Sequence, residues 1–176
     1  MSEIEFELRE KDIRFFNDMK LTSNPGFKKL LTSHQAIIPG AMSAIAFFYF
    51  IYYQDFRTGI LIGGIGVIWG LLVPLYLRHN SWQQVRQHYS DEDMSNILGK
   101  RTLKAQPGRL VETKDGEKNT IPWKDIMRIE INRDKTYGFL YFDHNSALII
   151  PKKTIKKAKF MDFMQEVLEY HTEANE

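Results

Sequence analysis

Lys152, Lys153, Lys156, Lys157 and Lys159 stand within one eight-residue stretch, with no acid among them. Ammonium groups this dense can form a solvated basic face, bind anionic lipid headgroups or bind nucleic-acid phosphate. Nucleic acid is disfavoured, because no aromatic residues are interleaved to stack on bases and the net charge of the chain is only +2. Lys152, Lys153, Lys156 and Lys157 form the candidate lipid-binding set. They fall at the expected start of a carboxy-terminal helix, where the macrodipole opposes positive charge. A solvated face is the bland alternative.

Other chemistry is sparse. The chain has no cysteine and only five histidines, and the histidines fall in no His-Glu-x-x-His or paired helical arrangement. No nucleophile elbow or P-loop occurs. Gly64 and Gly66 begin a G-x-G pattern, but the next glycine is Gly70, one position late for a dinucleotide loop. Asp91, Glu92 and Asp93 suit the first turn of a helix, and Asp143-His144 suits a hairpin turn. No catalytic, cofactor or metal residue is assigned.

The elements that would carry the lysines begin with two charge-free runs. Gly59–Leu77 has about the length needed to span a bilayer core of ~30 Å. Ile37–Tyr53 is near the lower limit and is also free of charge. Only Gln54-Asp55-Phe56-Arg57-Thr58 separates them, which predicts a transmembrane helical hairpin. Tyr49, Tyr52, Tyr53, Tyr76 and Trp82 gather near the ends of the runs, where interfacial aromatic residues belong. Mean hydropathy over the whole chain is −0.36, because the apolar residues are concentrated in this hairpin. A buried hairpin in a soluble core would need an unusually large core for a chain of 176 residues.

Gly59, Gly63, Gly66 and Gly70 recur at i, i+4, i+7 and i+11, one stripe of a helix. Small residues let helices approach closely in lipid. The stripe is expected to pack on Gly40, Ala41, Ser43 and Ala44 of the first run, or to join two copies of the chain as a homo-oligomer. Pro74 should kink the second helix. Lys28, Lys29 and His34 precede the hairpin, and Arg78, His79 and Arg86 follow it. Basic flanks stay cytosolic, so both termini are expected in the cytoplasm. The acidic start, Met1–Asp12, lacks the basic-then-apolar pattern of a signal peptide, so the first apolar run is expected to be retained.

The remainder reads as α+β. Ile4, Phe6 and Leu8 alternate with Glu3, Glu5 and Glu7, which predicts a strand. Asp12 is a candidate cap for a helix over residues 13–20, ended by Asn24-Pro25-Gly26. Residues 78–89 extend the second membrane helix, and Ser90 and Asp93 suggest a capping box for a short helix stopped at Gly99. Strands are expected over 101–106, 109–113, 118–123, 127–131, 137–143 and 146–151. Pro107-Gly108, Asp115-Gly116 and His144-Asn145-Ser146 are the turns. Phe160, Phe163, Met164 and Val167 share one face of a last helix.

The stretch carrying Ile121-Pro122-Trp123, Asp125-Ile126, an apolar strand and then Ile149-Ile150-Pro151-Lys152 resembles the YcxB-like family of bacterial membrane proteins. The resemblance implies an amino-terminal strand and helix, two membrane helices in the inner membrane and a pleckstrin-homology-like carboxy-terminal domain. It implies no substrate. On the residues alone, Trp123 is expected to fill the mouth of a barrel and Pro151 to end a strand.

The expected organisation is a strand and helix in residues 1–36, a transmembrane hairpin in 37–77, a helical connector in 78–99 and the pleckstrin-homology-like domain in 100–176. That domain should be an antiparallel barrel or bent sheet closed by the carboxy-terminal helix. The expected function is a multi-pass cell-membrane protein, not an enzyme. It would present a cytosolic binding or scaffold domain to membrane lipid or to a protein partner, and not to nucleic acid. The alternative is a membrane-associated enzyme with a site near His79, Arg86 and His88.

Overall fold

The computed structural model describes residues 2–144 and 146–175, and the side chains of His88 and Asp91 are outside the described set. The order is β1 (Glu3–Leu8), α1 (Glu10–Ser23), α2 (Pro25–Ile51), α3 (Phe56–His88), α4 (Asp91–Ile97), β2 (Gly99–Gln106), β3 (Arg109–Lys114) and β4 (Glu117–Pro122). After a 3-10 turn at Trp123–Asp125 come β5 (Arg128–Ile131), β6 (Tyr137–Tyr141) and β7 (Ala147–Pro151). A second 3-10 turn, Lys152–Thr154, precedes α5 (Phe160–Asn175). The chain divides into two compact units, Met1–Arg14 with Ser90–Glu176, and Phe15–Tyr89.

Among the described residues, the first unit holds seven strands in two antiparallel sheets, ordered β1-β2-β3-β4 and β5-β6-β7. β1 pairs with β2 across the long intervening segment, with Ile4 opposite Leu103 and Phe6 opposite Arg101. Its period-two pattern places Ile4, Phe6 and Leu8 in the core, while the glutamates between them stay exposed or half-buried. Tight turns at Gly108 and at Asp115-Gly116 join β2 to β3 and β3 to β4, and all three residues have positive φ. Asn145, expected in the β6–β7 turn, lies outside the described residues, but Asp143 Oδ1 accepts the Ser146 N–H at 2.7 Å beside it.

The sheets do not close into a barrel. After β4 the chain turns away through Pro122 and the 3-10 turn, so β4 and β5 do not pair. The far edge of β1 is covered by the segment after β7: Lys156 N–H donates to the Glu5 carbonyl at 2.9 Å. The Thr154 hydroxyl donates to the Glu7 carbonyl, also at 2.9 Å. Trp123 is 1% exposed, and its Nε1 donates to the Gln106 carbonyl at 2.9 Å. It therefore fills the core where the first sheet ends, and there is no barrel mouth.

α5 buries Phe160, Phe163, Met164 and Val167. It comes so close to β6 that a Cβ on Gly138 would stand 2.7 Å from Met164 Sδ. One His171 ring nitrogen is 2.7 Å from the Ile126 carbonyl.

The second unit is built on α2 and α3. α2 starts well before the apolar run, because Asn24 caps it: its side chain accepts the N–H of Gly26 at 2.8 Å and of Phe27 at 3.4 Å. Pro25 then occupies the first turn, where its missing N–H costs nothing. The Asn24-Pro25-Gly26 break thus begins α2 as well as ending α1. α3 is one continuous helix, capped by Asp55, and runs on past Leu77 to His88, as the expected helical extension does.

Both helices are long and apolar enough to cross a membrane. Phe47, Ile51, Ile60, Leu61, Val67, Leu71 and Leu75 are each more than 60% exposed. Extended exposed apolar surfaces mark sites of contact with membrane or protein.

Candidate functional site

The four stripe glycines lie against α2. A Cβ on Gly59 would stand 2.6 Å from the Phe50 ring, and one on Gly63 would stand 3.9 Å from Ala46 Cβ. On Gly66 it would stand 3.2 Å from Met42 Cβ, and on Gly70 3.6 Å from Pro39 Cγ. The facing surface is therefore Pro39, Met42, Ala46 and Phe50. A Cβ on Gly40 would meet nothing within 4 Å, and Ala44 is exposed. At about 100° per residue, Gly40 sits roughly 115° and Ala44 roughly 155° around the helix from the centre of the contact face. An interhelical hydrogen bond joins the same surface, from Gln35 Nε2 to the Gly70 carbonyl at 3.2 Å.

The lysine set is exposed throughout, but it is not at the start of α5. Lys152 and Lys153 occupy the 3-10 turn, and Lys156 and Lys157 follow it in irregular chain. Pro151 ends β7, and the hydrogen bonds to Glu5 and Glu7 hold the next residues along β1, so the helix begins only at Phe160. The macrodipole therefore does not oppose these four lysines. Lys157 Nζ pairs with Glu5 Oε2 at 3.2 Å on the surface.

A second basic group is structural. Arg101 pairs with Glu112 and donates to the Ile97 carbonyl, while Lys114 donates to the carbonyls of Ser95 and Asn96. Cations on the last carbonyls of a helix satisfy orphan acceptors and the negative end of the dipole. At the other end of α4, Ser90 and Asp93 form the capping box. Those hydrogen bonds from Ser90 lower the Asp93 pKa, since they favour the carboxylate.

Asp12 is the buried ionisable residue that sequence reasoning placed differently. It lies inside the first turn of α1 rather than at its cap, because the helix begins at Glu10. Its carboxylate is 0% exposed and accepts the Arg9 backbone N–H at 3.0 Å and the Tyr137 hydroxyl at 2.8 Å. Arg9 Nε lies 3.3 Å away. Burial, and then the bond to Asp12, push the Tyr137 hydroxyl up to about 12. No local pattern announces this pair, because Tyr137 is 125 residues away.

Of the residues of the alternative catalytic reading, His79 and Arg86 stand seven positions apart on α3. His79 Nε2 lies 3.5 Å from Gln83 Nε2, and Arg86 donates to the Tyr89 carbonyl at 3.2 Å. The His88 side chain is outside the described residues. Among the described residues, no three His, Asp or Glu side chains are grouped to hold a metal. No curated protein and no solved structure matches the chain. Residues 107–166, which run from the β2–β3 turn through both 3-10 turns and into α5, match the family model of the YcxB-like proteins.

Proposed function

We propose that this is a two-pass protein of the cell membrane, with both termini in the cytoplasm. In this reading it presents a pleckstrin-homology-like binding or scaffold domain to anionic lipid or to a protein partner. The observation that carries it is the α2–α3 hairpin. Gly59, Gly63, Gly66 and Gly70 of α3 face α2, and large apolar side chains are exposed along both helices. In lipid that surface is satisfied, whereas in water it would aggregate. The basic flanks Lys28, Lys29 and Arg78 support the orientation.

The four-plus-three arrangement of strands with a carboxy-terminal helix supports the pleckstrin-homology-like reading. Within the family-matched region, Trp123 and Pro151 have structural places, which favours binding over catalysis. Carbonate extraction and cysteine accessibility test the proposal. The chain has no native cysteine, so single cysteines at Ser2 and Thr172 report each end cleanly. Retention in the membrane with both sites shielded from an impermeant thiol reagent in intact cells is expected. Release by carbonate, or labelling of either site from outside, would refute it.

A further inference from the structure

Each helix of the hairpin contains a proline, Pro39 in α2 and Pro74 in α3. Proline has no N–H, so the carbonyl four residues before it loses its helical partner. In α3 that carbonyl belongs to Gly70, which is where the Gln35 side chain of α2 donates, at 3.2 Å. The acceptor left open in one helix is therefore filled by the other. The two breaks also lie at one level of the hairpin, since a Cβ on Gly70 would stand 3.6 Å from Pro39 Cγ. Gln35 itself sits four residues before Pro39, so its own carbonyl faces the same local loss.

This inference rests on the membrane reading. Gly70 lies eight residues inside Arg78, roughly 12 Å along the helix. At that depth bulk water does not reach the open carbonyl, and a donor from a neighbouring helix is one way to satisfy it. An amide side chain on the outer flank of an apolar helix is otherwise costly.

We propose that Gln35 is an interhelical clip that closes a proline hinge. With the clip made, the amino-terminal end of α2 and the carboxy-terminal end of α3 stay together. Without it, they separate at the level of Pro39 and Pro74. Gln35 acts here as a positioning residue through the Gly70 carbonyl.

The test uses the full chain in phosphatidylcholine–phosphatidylglycerol nanodiscs, spin-labelled at T32C and N80C, both exposed positions. Wild type should give one narrow distance distribution. Q35L should raise the separated population roughly three- to thirty-fold, the range that interhelical hydrogen bonds in membranes span. In a P74A background the same Q35L change should have no effect, because the substituted alanine restores a backbone N–H to serve the Gly70 carbonyl. An unchanged distribution in Q35L, or an equal effect with and without Pro74, overturns the inference. Failure of the wild-type chain to remain in carbonate-washed membranes refutes the membrane reading, and the inference with it. A silent Q35L in an inserted chain refutes the inference alone.

Discussion

The Asp12–Tyr137 hydrogen bond joins the start of α1 to β6, and both partners are withdrawn from water to different degrees. Asp12 is fully buried, so Tyr137→Phe removes a donor that the carboxylate cannot replace with solvent. Hydrogen bonds to charged groups contribute about 1.5–3 kcal/mol, and a loss of that size is expected in denaturant unfolding of the detergent-solubilised chain. The pH dependence has a definite sign. The folded-state value of Tyr137 is raised from 10.0 to about 12. Its contribution is complete below pH 10 and fades as pH rises from there toward 12. Wild type should lose stability in that window, and the Phe variant should lose less. Identical slopes for the two proteins would assign the alkaline sensitivity to other groups.

At the scale of elements, the glycines of the hairpin separate into those that meet the facing helix and those that do not. Gly66→Leu would drive a side chain into Met42 and Pro39, whereas Gly40→Leu and Gly64→Leu enter open space. Overpacking a close contact costs about 1–3 kcal/mol. Gly66→Leu should therefore lower the thermal midpoint in detergent, while the other two leave it near wild type. Equal tolerance of all three would reduce the stripe to composition. In α2 the facing set is Pro39, Met42, Ala46 and Phe50, a helical period that the abundance of small residues in this run conceals.

At the scale of the whole molecule, the sheet-bearing unit is discontinuous in sequence, because β1 lies before the hairpin and its partner β2 lies after it. A fragment of residues 90–176 lacks Ile4, Phe6 and Leu8, each at most 4% exposed. Burying three such side chains contributes roughly 1.5–3 kcal/mol apiece, comparable with the whole stability of a small domain, about 5–15 kcal/mol. That fragment should aggregate or unfold non-cooperatively. Joining residues 2–14 to it through a flexible linker should restore a cooperative transition.

The lysine surface is also tested on the intact protein. In nanodiscs with anionic lipid, amide exchange over residues 152–159 should be slower than in neutral nanodiscs, and added salt should erase the difference. Replacing Lys152, Lys153, Lys156 and Lys157 with Gln should remove the lipid dependence. Loss of the Lys157–Glu5 pair in that variant should matter little, because exposed pairs contribute at most about 1 kcal/mol. Equal exchange in both lipids would leave these lysines as solvated surface charge.

By itself the sequence determined what depends on neighbours along the chain. Two apolar helices, the capping box at Ser90 and Asp93, the hairpin turn at Asp115-Gly116, the alternation of Ile4, Phe6 and Leu8, and the apolar face of α5 all follow from local periodicity and turn chemistry. The likeness to YcxB-like proteins was also legible, through the run from Ile121 to Lys152. Contacts between residues far apart in the chain came from packing. It set two open sheets in place of a barrel, because Pro122 and the Trp123 turn redirect the chain. It moved the lysines ahead of α5, because hydrogen bonds to β1 hold that segment extended. It also paired Asp12 with Tyr137 and Gln35 with Gly70. Such pairings depend on where buried donors and acceptors meet once the backbone is packed, and no short-range pattern encodes that.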